Sequence, residues 1–202
     1  MSASPKVVLA TRNAHKVPEI SRILAAAGAP VSLVPVSDFP GVSDVEETGL
    51  TFEENALLKA RAVAVATGLP ALADDSGLTV AALGGMPGVF SARWAGVHGD
   101  DVANLRLVLA QLTSVPDESR QAAFVCVAAL ALPDGRSFTA EGRCDGVVVR
   151  SPRGSNGFGY DPIFVASGST LTTAELSPAG KDAISHRGRA FRAIAVHLAE
   201  LA

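Results

Sequence analysis

Short apolar runs alternate along the chain with longer stretches whose apolar positions recur at helical spacing. Residues 6–10 are apolar from Val7 on and predict a strand; a polar loop and then a helix to about Ala27 follow, with Ile20, Ile23, Leu24 and Ala27 on one face. Gly28 and Pro30 end that helix, and residues 31–36 predict a second strand. Thr51-Phe52-Glu53-Glu54 has the form of a capping box and opens a helix to about Thr67, closed by Gly68 and Pro70. Residues 69–73 read as a buried strand. Residues 78–83 read as a short strand or helical turn, followed by the loop Gly84-Gly85-Met86-Pro87-Gly88. A helix over 101–112 aligns Val102, Leu105, Val108, Leu109 and Leu112. Residues 122–132 and 136–142 predict a hairpin around Asp134-Gly135, with a further strand over 147–150. The last helix runs from about Arg187 to Leu201, with Phe191, Ile194, Ala195, Leu198 and Leu201 in one stripe. Helices and strands are interleaved and the hairpin demands antiparallel pairing, so the pattern predicts an α/β fold with a mixed sheet.

The chain has 202 residues, room for one sizeable domain or two closely joined lobes. It is 48% hydrophobic and only 5% aromatic, so Ala, Val and Leu must fill the core. A formal charge of −3 argues against a general nucleic-acid binder, though a few local lysines can still hold a small anion. The first twenty residues show no signal-peptide pattern, and the apolar run over 122–132 is too short to span a bilayer. Cys126 and Cys144 lack metal-ligand spacing and read as two buried free thiols. These features predict a soluble, cytoplasmic protein with no nucleic-acid or membrane partner.

Ala73-Asp74-Asp75-Ser76-Gly77-Leu78 carries the sharpest chemical signal. Two adjacent carboxylates close a buried strand, and like charges there need a positive partner, often a divalent cation. Ser76-Gly77 then reads as a tight turn; the plainer alternative is an acidic turn with no further role. Thr11-Arg12-Asn13-Ala14-His15-Lys16 lies between the first strand and first helix, where backbone N–H groups and a lysine suit phosphate, or where the loop is merely a helix cap. Lys59 follows Asn55 by one turn on a mostly small, apolar helix face and either snorkels or faces a buried anion. Glu46 and Glu47 precede that helix and either cap its dipole or reach a metal. Asn156-Gly157-Phe158-Gly159-Tyr160-Asp161-Pro162 combines flexible glycines, aromatics able to stack on a base or anchor a loop, and a carboxylate. Ser185 reads as an N-cap before His186 and Arg187, two basic groups at a positively polarised helix start that call for a facing acceptor.

These segments together resemble the Ham1-type inosine triphosphatase family. The resemblance rests on Thr11-x-Asn13-x-x-Lys16-x-x-Glu19, Phe52-x-Glu54-Asn55-Ala56-x-x-Lys59-Ala60, the Ala73–Leu78 run, Pro87-Gly88-Val89-x-Ser91-Ala92-Arg93, Gly157 to Pro162, and Ser185-His186-Arg187, in that order along nearly the whole chain. It implies a long central mixed sheet flanked by helices, two lobes with an active-site cleft between them, and a single catalytic domain over 1–202 that forms a homodimer. It implies Mg²⁺-dependent hydrolysis of XTP, ITP or dITP to the monophosphate and pyrophosphate. Carried over by position, Thr11, Asn13 and Lys16, with Arg12, Ala14 and His15 in the same loop, would hold the triphosphate. Asp75 would be the general base with Asp74 beside it, and Lys59 would face the phosphates. Glu46 or Glu47, with Asp75, would bind the metal. Ser76, Phe158, Gly159, Tyr160, Asp161, Lys181, His186 and Arg187 would line the nucleoside pocket.

Two other readings stand beside this one: a Maf-like nucleotide pyrophosphatase of different base preference, and a nucleotide sensor without catalysis. An aspartyl-phosphate phosphatase is a poorer match, because its two carboxylates are spaced one residue apart whereas Asp74 and Asp75 are adjacent.

Overall fold

A computed structural model describes residues 4–201. Six strands form one mixed sheet in the order β2-β1-β3-β4-β5-β6: β1 (Lys6–Leu9), β2 (Ser32–Pro35), β3 (Ala71–Val80), β4 (Gln121–Ala131), β5 (Ser137–Val148) and β6 (Phe164–Ala166). β1 pairs in parallel with β2 and β3, whereas β5 and β6 are antiparallel. The helices are α1 (Lys16–Ala26), α2 (Phe52–Thr67), α3 (Asp101–Gln111), α4 (Pro178–Ile184) and α5 (His186–Ala199). No helix among the described residues is long and apolar enough to cross a membrane.

The chain divides into two compact units. Unit 1 takes in the chain up to Asp75, Cys126–Gly142 and the chain from Arg187 onward; unit 2 is Ser76–Val125 with Arg143–His186. Unit 1 has two cores. Val7, Leu9, Leu72, Cys126 and Ala128 pack with Ile20 and Ile23 of α1 and Phe191 and Ile194 of α5. Val8, Ala71, Ala73, Val127 and Ala129 pack with Ala56, Ala60 and Val63 of α2. The odd-even split of these strand residues is the two-residue period of a pleated strand buried on both faces. Unit 2 has one core, where Leu78 and Val80 meet Leu105, Val108 and Leu112 of α3 with Phe124, Val148 and Phe164. The capping box is present: Thr51 Oγ1 accepts from the Glu54 N–H at 3.1 Å and the Glu54 carboxylate returns to the Thr51 N–H. Both cysteines are free and buried.

Four expectations are corrected. β3 does not stop at Ala73; it runs straight through Asp74-Asp75-Ser76-Gly77, and residues 78–80 belong to the same strand, with a 3₁₀ turn over Ala81–Leu83. Gly77 makes no turn. A Cβ there would collide with Ser91 Oγ and the Gly88 carbonyl, so the missing side chain admits the 88–91 segment against the strand. Likewise the strands expected at 136–142 and 147–150 are one strand. Its inward positions Gly142, Cys144, Gly146 and Val148 alternate with outward Arg143 and Asp145 without a break. Val102, assigned to the apolar stripe of α3, is 53% exposed. Helix α4 was missed although Ser177 caps it, accepting from the Gly180 N–H at 3.1 Å, with Pro178 in its first turn. Ser185 lies between α4 and α5.

Gly77→Ala is expected to destabilise the protein by about 1–3 kcal/mol, the usual range for overpacking a buried site. Urea denaturation checks this; unchanged stability would show that the 88–91 segment does not need the space.

Candidate functional site

Consecutive residues of a strand point to opposite faces, so Asp74 and Asp75 are not side by side. Asp74 follows Leu72 onto the α1–α5 side, and Asp75 follows Ala73 onto the α2 side. The positive partners expected of this pair are present, and each carboxylate has its own hydrogen-bonded cations.

On the α1–α5 side, Asp74 Oδ2 accepts from Lys16 Nζ at 2.9 Å and from Arg187 Nη2 and Nε at 3.2 and 3.4 Å. The Cys126 thiol donates to the same oxygen at 3.8 Å. Arg187 Nη1 donates to Glu19 Oε2 at 2.8 Å. Arg187 is only 1% exposed, and Glu19 and Asp74 are buried. Burial alone raises a carboxylate, but Lys16 and then Arg187 outweigh it and hold Asp74 well below the usual range. Burial lowers the Arg187 guanidinium less than Asp74 and Glu19 raise it. Burial and the nearby Asp74 charge push the Cys126 thiol far up, so it stays a neutral donor.

On the α2 side, Asp75 Oδ2 accepts from Asn55 Nδ2 at 3.2 Å and Oδ1 from Lys59 Nζ at 3.4 Å. Lys59 Nζ also donates to Glu47 Oε1 at 2.6 Å. Asn55 grips the loop that carries Glu47, accepting from the Gly49 N–H at 2.8 Å and donating to the Gly49 carbonyl at 3.3 Å. Burial raises Asp75 more than Lys59 lowers it, and Glu47 adds to the rise, so Asp75 sits above the ordinary aspartate value. Lys59 is pulled down by burial, but Asp75 and Glu47 more than compensate, so it stays charged. The snorkel reading of Lys59 is thereby corrected: its ammonium is shared by two carboxylates. Of the acidic pair, Glu47 reaches this cluster and Glu46 is exposed.

The loop from Thr11 to Lys16 is held by its own side chains. Thr11 Oγ1 accepts from the Asn13 N–H at 3.2 Å and Asn13 Oδ1 from the His15 N–H at 2.9 Å. Arg12 pairs with Asp44 and donates to the Val42 carbonyl at 2.6 Å. Arg12, Asn13, Ala14 and His15 are exposed.

Unit 2 gathers the second group of candidates. Asp161 is buried, with Oδ2 accepting from Lys181 Nζ at 2.6 Å and from the Phe158 N–H at 2.9 Å, and Oδ1 from Thr173 Oγ1 at 2.8 Å. Lys181 Nζ lies 5.0 Å from the centre of the Phe158 ring. Tyr160 is buried and donates through its hydroxyl to the Ser91 carbonyl at 2.8 Å. His186 stacks on Phe124, ring centres 4.7 Å apart. Ser76 is half-buried on β3. Four residues had no role in the sequence reading: Glu19, Asn55 and Cys126, whose contacts are given above, and Asp101, which accepts from the Gly159 N–H at 2.7 Å. Glu19 had a signal, because it precedes Ile20 and Ile23 on the buried face of α1 where a carboxylate needs a partner. Asp101 had none, since an acid in a helix's first turn is ordinary.

The folded pKa of Asp74 lies well below its unfolded value of about 3.9, so its contribution is complete above that value, begins to shrink as pH falls below it, and is lost only as pH reaches the folded value. Asp74→Asn is expected to cost about 3–5 kcal/mol near neutral pH, because it leaves Lys16 and Arg187 without their shared anion. Urea titrations at about pH 7 and about pH 3 should show the gap to wild type shrinking in acid. A gap independent of pH would remove Asp74 as its source.

The Ham1 family profile matches residues 7–197. A dITP/XTP pyrophosphatase of Streptomyces coelicolor is 58% identical over 196 residues, covering 97% of this chain and 98% of that protein. The solved HAM1 protein of Coxiella burnetii superposes with a TM-score of 0.87 at 45% identity, covering 97% of this chain and 99% of that one. The nucleoside-triphosphatase / dITP/XTP pyrophosphatase of Mycobacterium abscessus superposes with a TM-score of 0.76 at 54% identity, covering 98% and 100%. The agreement runs from the first strand into the last helix, through every segment that carries the charged clusters, and the chain belongs to the Ham1 family.

Proposed function

We propose that this chain is a nucleoside-triphosphate pyrophosphatase that hydrolyses dITP, XTP and ITP to the monophosphate and pyrophosphate. The observation that carries the reading is the Asp75–Lys59–Glu47 cluster, a carboxylate with raised pKa beside a charged lysine in a chain whose relatives are dITP/XTP pyrophosphatases. A carboxylate above its ordinary pKa is a better general base, and Asp75 orients and deprotonates the attacking water. Lys59 and Lys16 offset charge on the transferring phosphoryl group and the departing pyrophosphate. The loop from Thr11 to Lys16 holds the triphosphate. Ser76, Phe158, Gly159, Tyr160, Asp161, Lys181, His186 and Arg187 serve the nucleoside. Within that set, Asp161 orients Lys181 and the Phe158 backbone, and Arg187 is docked on Asp74 and Glu19.

The residues present fit Mg²⁺. Glu47 and Asp75 are hard oxygen donors that already converge on one cationic group, Lys59 Nζ. No cluster of three or more His, Cys, Asp or Glu gathers among the described residues. Mg²⁺ in phosphate enzymes is typically held by one or two carboxylates plus substrate phosphates and water, so this pair suffices, with Glu47 favoured over Glu46. When bound, the ion supplies charge neutralisation on the phosphates and lowers the pKa of a ligated water.

Base choice follows from hydrogen bonding. Hypoxanthine and xanthine present a 6-oxo acceptor where adenine presents a donor, and each buried mismatch costs about 1–3 kcal/mol. Both units act as one catalytic domain in this reading. A homodimer belongs to the same reading, and two buried thiols outside any disulfide support a cytoplasmic setting.

A panel of nucleoside triphosphates with Mg²⁺, assayed separately for pyrophosphate and phosphate, tests the reading. dITP and XTP should exceed dATP in kcat/KM by well over about a hundredfold, as two mismatches require, with pyrophosphate as the product. Equal turnover of dATP, or release of phosphate alone, would overturn it. Asp75→Asn should lower kcat by at least about a hundredfold, and activity within threefold of wild type would remove Asp75 as the base. Lys59→Met should lower kcat by at least about a hundredfold and, because it leaves Asp75 and Glu47 without their shared cation, lower the melting temperature as well; a normal kcat at a temperature where the variant is folded would make Lys59 a structural charge only.

A further inference from the structure

The backbone that carries Phe158 is held by two carboxylates from different parts of unit 2. Asp161 accepts from the Phe158 N–H at 2.9 Å. Asp101, the first residue of α3, accepts from the next N–H, that of Gly159, at 2.7 Å. Asp101 is free for this task because Asp100 caps α3, accepting from the Ala103 N–H at 2.9 Å. Tyr160 adds a third tie through its hydroxyl to the Ser91 carbonyl at 2.8 Å. Ser91 and Asp101 belong to one braced piece, since Asn104 accepts from the Ala95 N–H at 2.7 Å and donates to the Ala92 carbonyl at 3.2 Å. Burial, with Asp101 as the second cause, raises the Tyr160 pKa and keeps that hydroxyl a donor.

We propose that Asp101 is a positioning residue for nucleobase selection, acting through the Gly159 N–H to set how Phe158 is presented. The proposal rests on the reading above, in which Phe158 to Asp161 serve the nucleoside. Gly159 has φ +60° and no Cβ to restrain it, so its conformation depends on what its N–H is bonded to. A carboxylate acceptor makes that bond roughly twice as strong as a neutral one. Asp75, Lys59 and Glu47 belong to unit 1, so loss of the Asp101 tie falls on base binding and not on water attack.

The test compares wild type, Asp101→Ala and Asp101→Asn in steady-state kinetics with dITP and dATP, in calorimetric binding of the product dIMP, and in melting temperature. Asp101→Ala is expected to raise KM for dITP and Kd for dIMP roughly five- to tenfold, with kcat within about twofold and a narrower dITP/dATP ratio. Asp101→Asn keeps an acceptor oxygen and should restore most of the loss. A KM within about twofold of wild type, whatever the melting temperature, would make Asp101 a mere stabiliser and overturn the proposal. If Asp101→Ala does not fold, Asp101→Glu displaces the carboxylate by one methylene and carries the same expectation and the same refutation. Wild-type enzyme inactive on dITP would overturn the reading of function and this proposal with it. Activity on dITP with unchanged KM in the variants overturns this proposal alone.

Discussion

The pleat of β3 is the constraint from which the charged architecture of unit 1 follows. A strand alternates its side chains, so two consecutive aspartates must serve two faces and find two sets of partners. Asp74 takes Lys16 and Arg187 from α1 and α5, and Asp75 takes Asn55 and Lys59 from α2. Three helices are thereby referenced to two neighbouring residues of one strand. A slip of one residue in β3 would move every side chain to the other face and put Ala73 or Ser76 in the place of one of the two aspartates, leaving one set of cations without its carboxylate.

The same alternation separates the two carboxylates chemically. Asp74 is surrounded by positive charge and locked in its ionised form, whereas at Asp75 burial, with Glu47 and Asp74, outweighs Lys59 and the weaker pull of Lys16, and it moves the other way. Neighbouring titratable groups whose environments drive their pKa values apart are a usual sign of divided labour. Here one acid anchors charged groups within the core and the other remains able to accept a proton. Desolvation is the leading influence on both; the difference lies in how many cations oppose it.

Much of this was legible in the sequence because local rules and tertiary structure agreed. The capping box at Thr51, the stripe of α5 and the two thiols stand as the pattern predicts. The readings that failed did so where a residue type has two physical uses. Ser76-Gly77 resembles a turn, yet Gly77 is there to admit another segment, a fact that involves residues 88–91 and cannot be seen locally. Gly142 and Gly146 resemble a break in β5 but keep its alternation intact. The Asp101–Gly159 bond joins residues 58 apart and leaves no local trace. Candidate residues were visible one by one; which carboxylate each cation serves was not.

The division of the chain has a consequence for its synthesis. Unit 1 is discontinuous: its first segment ends at Asp75, and its last begins at Arg187. The guanidinium that neutralises Asp74 is encoded 113 residues later. At roughly 5–20 residues per second, a ribosome needs about 6–23 seconds to deliver it. During that interval Lys16 is the only one of the two cations bonded to Asp74 that has been made, and α5, which covers one face of the sheet, does not exist. Unit 2, by contrast, is complete once His186 has been added. The unit that contains β1 and β2 therefore stays incomplete after unit 2 has been made, and β1 waits, with an apolar face uncovered, for α5.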